Sequence, residues 1–211
     1  MRTRVYASIL DAPGEDVQLA IDKVSPYVDA IHYDVMDGKF VPPTAFSAAE
    51  FRKLSIPLFK SVHLMVEHPD KRWIDDFASA GADEITIHFE AKQKSVLGTI
   101  RRIKQLGCRA GLSIKPKTKV DDVPEELWRE LDFVLVMTVE PGWGGQKFMT
   151  EVLDKVRRLR NKYPDLSIGV DGGINDKTAK LAVEAGCNVL AAGSYLLKSE
   201  NYEAAVKSLL S

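Results

Sequence analysis

Short apolar runs of strand length alternate along the chain with stretches whose apolar residues recur every three to four positions. The runs fall at residues 5–10, 30–36, 59–66, 84–89, 109–114, 132–137, 166–171 and 188–192 and read as buried strands. The periodic stretches fall at about 15–27, 48–54, 69–80, 93–106, 123–129, 150–163, 178–185 and 202–210 and read as helices. In the first of them Val17, Ala20, Ile21 and Val24 keep the 3.6-residue repeat. Pro69 suits a first helical turn. Gly81, Gly107 and Gly186 stop helices just before a strand. The paired Pro42 and Pro43 make 40–46 a loop. Eight strand–helix units, with no linker, charge block or low-complexity segment, predict an α/β architecture around a parallel sheet. Right-handed crossovers permit an open doubly wound sheet or a closed barrel. The count favours the barrel, and so do the polar residues that finish many strands at their C-terminal ends. The 211 residues are expected to form one barrel domain, 1–211, with short loops.

Composition narrows the function classes. Hydrophobic residues are 45% and charged residues 28%, as in an ordinary globular protein. The net charge of -1 provides no global field for nucleic acid or an acidic membrane, so any anion must be held by a local device. No apolar run has transmembrane length, and the N-terminus shows no signal-cleavage pattern. Cys108 and Cys187 each follow a glycine. They are expected to be buried free thiols in a reducing, cytoplasmic location.

The candidate chemistry sits at strand ends. Side chains alternate along a strand with period two. In Ala30-Ile31-His32-Tyr33-Asp34-Val35-Met36-Asp37-Gly38, His32, Asp34 and Met36 therefore share one face. His63 and Met65 share a face of the 59–66 strand, and the 166–171 strand ends on Asp171 followed by Gly172 and Gly173. Each of these histidines and aspartates alone is as well explained by a satisfied core position or a helix cap. Together, at the same end of three strands, His32, Asp34, His63 and Asp171 predict a four-ligand metal site. Such a donor set suits Zn, Fe(II), Mn or Co, which the sequence does not rank. Gly142-Trp143-Gly144-Gly145, Gly172-Gly173 and Gly193-Ser194 follow the sixth, seventh and eighth strands. Glycine turns let backbone N–H groups converge on an anion, and a phosphate cup near the last strands is a recurrent feature of such a barrel. Met36, Met65 and Met137 suggest a polarisable floor to the site, with core filling as the plainer account. Ser8 closes the first strand within reach of a substrate hydroxyl or of local backbone. His88 is expected to be a hydrogen-bonded structural residue, and Trp73 and Trp128 are expected to pack.

The combination resembles the ribulose-phosphate 3-epimerase family. It is carried by His32-Tyr33-Asp34-Val35-Met36-Asp37-Gly38-Lys39-Phe40-Val41-Pro42, Val62-His63-Leu64-Met65, Val136-Met137-Thr138-Val139-Glu140-Pro141-Gly142-Trp143-Gly144-Gly145-Gln146 and Val170-Asp171-Gly172-Gly173-Ile174, and covers nearly the whole chain. The resemblance implies a (β/α)8 TIM barrel of the ribulose-phosphate-binding type. It implies interconversion of D-ribulose 5-phosphate and D-xylulose 5-phosphate in the pentose phosphate pathway, with one divalent metal ion and a small phosphorylated ketose as partners. It also implies a homo-oligomer, with neither nucleic acid nor membrane as partner. His32, Asp34, His63 and Asp171 become the metal ligands, with Asp34 and Asp171 as the catalytic acid–base pair. Ser8, Met36, His63, Met65, Met137, Gly142 and Asp171 become substrate contacts, and Gly144, Gly145, Gly172, Gly173, Gly193 and Ser194 carry the phosphate. The implied mechanism removes the C3 proton with one aspartate and returns a proton from the opposite face with the other. The chain departs from the family's pattern at Ala7, Asp11-Ala12-Pro13, Pro43 and Trp143. All lie around the mouth, so a six-carbon ketose phosphate such as D-allulose 6-phosphate stays open as substrate, as does a non-catalytic sugar-phosphate-binding barrel.

Overall fold

A computed structural model describes residues 2–12 and 16–211. Pro13, one of the departures from the family's pattern, and the expected helix start at about residue 15 lie outside these residues. Eight parallel strands form the barrel: β1 Arg4–Ser8, β2 Ala30–Asp37, β3 Phe59–Met65, β4 Glu84–His88, β5 Arg109–Ile114, β6 Phe133–Met137, β7 Ser167–Asp171 and β8 Val189–Ala192. Each pairs with the next, and β1 also pairs with β8, so the sheet closes on itself. Helices α1 Val17–Val24, α2 Ala48–Phe51, α3 Lys71–Ser79, α4 Val96–Gln105, α5 Glu125–Glu130, α6 Leu153–Lys162 and α7 Asp176–Ala185 follow the first seven strands in turn. Two further helices, α8 Ser194–Leu197 and α9 Tyr202–Leu209, follow β8.

Strand alternation divides the core. Ile31, Tyr33 and Val35 point outward from β2 into the main apolar layer between strands and helices, together with Val62, Leu64, Ile85 and Ile87. The opposite faces meet inside the barrel. Tyr6, Ala30, Phe133, Leu135, Met137 and Val189 cluster there. Met36, Met65 and Val41 form a small separate group. The interior is unusually polar between these groups, since His32, Ser61, His63, Glu84, Thr86, His88 and Ser113 are fully buried.

Local chemistry sets the element ends. Asp70 caps α3 by accepting from the N–H groups of Arg72 and Trp73, and Asn175 caps α7. Gly186 ends α7 at φ 110, a left-handed conformation that a side chain disfavours. The expected helix at 123–129 begins later, because Pro124 stands at its N-cap position and pushes the residue before it to extended backbone. The expected helix at 150–163 starts as a tight turn over Thr150–Val152. Three short elements were not anticipated: α8, the tight helical turn Val120–Asp122, and the antiparallel pair Thr44–Ala45, which lies against Asp37 and Met36. All are too short to display a period.

Candidate active site

Inter-strand register assembles the site. Ser8 pairs with His32, Asp34 with His63, and Met137 with Asp171. These residues face inward at the C-terminal end of the barrel. His63 Nδ1 lies 3.0 Å from Asp34 Oδ1 and 3.7 Å from Asp171 Oδ2. His32 Nε2 lies 3.4 Å from Asp34 Oδ1 and 3.8 Å from Asp171 Oδ2. One ligand atom from each of the four residues falls within 4.8 Å of all the others. His32 Nε2 is buried with no hydrogen-bond partner, which is costly for a polar atom. A lone imidazole nitrogen aimed at one buried and one partly buried carboxylate fits a small divalent cation.

The charges of the protein alone agree with this. Burial works against the His32 imidazolium, but the Asp34 carboxylate, with help from Asp171, raises its pKa to about 9. Burial also works against ionised Asp34, yet His32 and His63 outweigh it and hold this carboxyl well below the usual range. Asp171 is pushed up to about 7 by burial and by the Asp34 charge. Burial lowers His63 to about 4, against the pull of Asp34. Two neighbouring carboxyls are thus driven apart in acidity, the pattern of an acid and a base in one site.

Other groups hold these side chains in place. The Ser8 hydroxyl donates to Asp34 Oδ2 at 2.7 Å. Ser61 Oγ donates to Glu84 Oε1 at 3.0 Å, which leaves its lone pair facing His32 Nδ1 at 3.3 Å. Glu84, fully buried, meets Arg109 Nη1 at 3.3 Å. His63 Nε2 lies 2.9 Å from His88 Nε2.

A cleft opens above this cluster. Ser8, Asp34, Met36, Met65, Met137, Gly142, Gly144, Gly145, Asp171, Gly172, Gly173, Gly193 and Ser194 all line it. His32 and His63 lie beneath, fully buried. The glycine turns thus converge with the strand ends on one cavity. Gly173 stands at φ 65, and a Cβ there would lie 2.7 Å from the Phe148 backbone nitrogen, so the turn admits only glycine. The cleft also takes in Asp11 and Trp143, expected around the mouth but given no role there, and Gln146, which the sequence had not marked as a site residue. Asp11 lies against Gly144, and Trp143 is 61% exposed. A charged residue at a turn and an indole in a glycine loop were the available signals. The two free cysteines are buried, as expected.

Among the described residues no helix is long and apolar enough to cross a membrane. The barrel is similar to a solved KGPDC from Streptococcus mutans, at TM-score 0.70 and 16% identity over 99% of this chain and 96% of that one. It is similar to a 3-hexulose-6-phosphate synthase, at TM-score 0.69 and 18% identity over 99% and 98%. These likenesses carry the fold alone. Much closer in sequence is the ribulose-phosphate 3-epimerase of Candida glabrata, 44% identical over 182 residues, 78% of this chain and 73% of that protein. That of Bacillus subtilis is 42% identical over 190 residues, 86% and 85% of the two chains, and that of Schizosaccharomyces pombe is 38% identical over 215 residues, 99% and 93%. The family model for ribulose-phosphate 3 epimerases matches residues 4–197, a span that includes every residue of the histidine–aspartate cluster and its cleft. With that match over most of its length, the chain belongs to the ribulose-phosphate 3-epimerase family.

Proposed function

We propose that this chain inverts C3 of D-ribulose 5-phosphate to give D-xylulose 5-phosphate, with one divalent metal ion held by His32, Asp34, His63 and Asp171. The observation that carries the reading is the convergence of these four residues, with ligand atoms within 4.8 Å of one another, under a glycine-rimmed cleft. A bound cation would supply Lewis-acid stabilisation of the negative charge that develops when a proton leaves the carbon next to a carbonyl. Asp34 and Asp171 act on the two faces of C3. One takes the proton, and the other returns a proton from the opposite side. A single base would tend to restore the original centre, so inversion calls for two. Their opposed acidities support one starting ionised and the other protonated. Ser8 orients Asp34 and also reaches the cleft. Met36, Met65 and Met137 present apolar, polarisable surface to the planar intermediate. The phosphate is carried by the turns at Gly144, Gly145, Gly172, Gly173, Gly193 and Ser194, with Gly142 shaping the rim. This anchors a part of the substrate that does not react, so that binding energy positions C3.

The metal is one of Zn, Fe(II), Mn or Co. The resemblance to the family supports a homo-oligomer. A cytoplasmic location is supported by the two buried free thiols and by the 43% identical rice relative, which is named a cytoplasmic isoform. The reading is tested by proton NMR of D-ribulose 5-phosphate in D₂O with the metal-replete protein, before and after chelation. Xylulose 5-phosphate with deuterium at C3, lost on chelation, is expected. Absence of exchange, with exchange in a six-carbon ketose phosphate instead, would move the substrate. Absence in both would leave a binding protein.

A further inference from the structure

The His63 imidazole is held from behind by His88, and His88 in turn by groups to which no role has been given above. His63 Nε2 lies 2.9 Å from His88 Nε2, and both rings are fully buried. His88 Nδ1 lies 3.1 Å from Glu90 Oε2. The other carboxylate oxygen of Glu90 accepts the Lys115 backbone N–H at 2.7 Å and the Thr118 hydroxyl. Both Glu90 oxygens are therefore committed, on a carboxylate that is 21% exposed.

Proton placement follows from these contacts. An ionised carboxylate only accepts hydrogen bonds, so the His88 nitrogen facing Glu90 carries a hydrogen. In a neutral imidazole the other nitrogen is then bare. A 2.9 Å nitrogen–nitrogen contact holds one hydrogen, so here it belongs to His63 Nε2. That leaves the lone pair of His63 at Nδ1, the atom 3.0 Å from Asp34 and 3.7 Å from Asp171. We propose that Glu90 and His88 are positioning residues that set His63 in its metal-binding tautomer and orientation. The proposal rests on the reading of His63 as a ligand. The signal in the sequence is His88-Phe89-Glu90: His88 ends β4 inside the barrel, and Glu90, two residues on, turns back to it.

The test uses the full-length chain and zinc as the probe. The zinc affinity of wild type, His63→Ala, His88→Phe and His88→Gln is measured by competition with a chelator. Phenylalanine keeps the ring packed beside Phe40, which lies 4.6 Å from His88 between centroids, but cannot accept a hydrogen bond. Glutamine offers an amide oxygen to His63. Loss of an outer partner of a ligating histidine typically weakens metal binding about 10–100-fold. That loss is expected in His88→Phe, with His88→Gln returning most of the affinity. Equal affinities of wild type and His88→Phe, or equal losses in both His88 variants, would overturn the proposal. If His63→Ala binds zinc as wild type does, the ligand reading fails and the proposal with it. A second measurement needs no variant. In long-range proton–nitrogen spectra of the zinc-loaded wild type, His88 is expected protonated at Nδ1 and bare at Nε2. The reverse, or protonation at both, would overturn it.

Discussion

Asp34 and His63 are register partners on adjacent strands, β2 and β3, and their side chains meet inside the barrel at 3.0 Å. Residues opposite one another on parallel strands project to the same face, so this contact is dictated once the register is set. Asp34 then has the Ser8 hydroxyl on its other oxygen and His32 beside it.

Asp171→Asn and Asp34→Asn are each expected to lower the epimerisation rate by about 10²–10⁴-fold, the typical worth of a positioned acid or base. The sharper sign is a split between exchange and inversion. Asp171→Asn keeps one base, so it is expected to exchange the C3 proton of one epimer with deuterated solvent while giving little of the other. Equal loss of exchange for both epimers, with metal retained, would contradict the assignment of one face to each aspartate.

Ser8→Ala removes a 2.7 Å hydrogen bond to a buried carboxylate. Hydrogen bonds to charged groups are worth about 1.5–3 kcal/mol, so kcat/KM is expected to fall by about one to two orders of magnitude. Steady-state kinetics at fixed metal concentration reads this directly.

Arg109→Met strands Glu84, whose carboxyl is fully buried and whose cationic partner is Arg109 at 3.3 Å. Breaking a buried pair costs about 3–5 kcal/mol. The low end is expected here because the Arg109 side chain is 32% exposed. The double variant with Glu84→Gln is expected to regain most of the lost stability, measured as urea midpoints. Equal midpoints of the single and double variants would show that the charge is not what matters.

Asp37 ties the loop after β2 to the end of β3. Its Oδ1 accepts from the N–H groups of Lys39 and Phe40, both at 2.9 Å, and its Oδ2 from that of Glu67 at 2.8 Å. Burial works to raise its pKa, but these N–H groups outweigh it and hold the carboxyl below its ordinary value. A depressed carboxyl pKa contributes stability that is complete above the ordinary value and is lost as pH falls through the folded value. Asp37→Asn is therefore expected to cost about 1–2 kcal/mol at neutral pH. The difference from wild type should close as the pH is lowered below the ordinary aspartate range. A difference independent of pH would rule out the charge as its source.

Burial pushes the Cys187 thiol up to about 12 and the Cys108 thiol upward as well. The thiolate is the reactive form, so neither cysteine is expected to be alkylated in the folded protein at mildly alkaline pH. Both should react after unfolding, as mass spectrometry would record.

The convergence of His32, Asp34, His63 and Asp171 was legible in the sequence because strand alternation and strand ends are local properties. His32, Asp34 and Met36 share a face by period two alone, and the glycine turns announce themselves by composition. Glu84 was not legible. It opens a strand, where a glutamate reads as an exposed end, and only the register of β4 with β3 and β5 places it against Ser61 and Arg109. Asp11 was placed at the mouth, but its contact with Gly144 was not legible for a related reason, since that glycine lies more than half the chain away.

The sequence by itself determined the order of elements, the barrel class and the inward faces of the strands. These follow from hydrophobic periodicity and from turn and cap residues, each of which acts over a few positions. Tertiary structure alone decided the register between strands, and with it which polar groups touch. That His63 turns one nitrogen to Asp34 and the other to His88, or that Ser8 donates to Asp34 rather than to nearby backbone, depends on the stagger of closed strands. A shift of one residue in that stagger would send every side chain of a strand to its opposite face. Such pairings join residues far apart in the chain, so no local pattern encodes them.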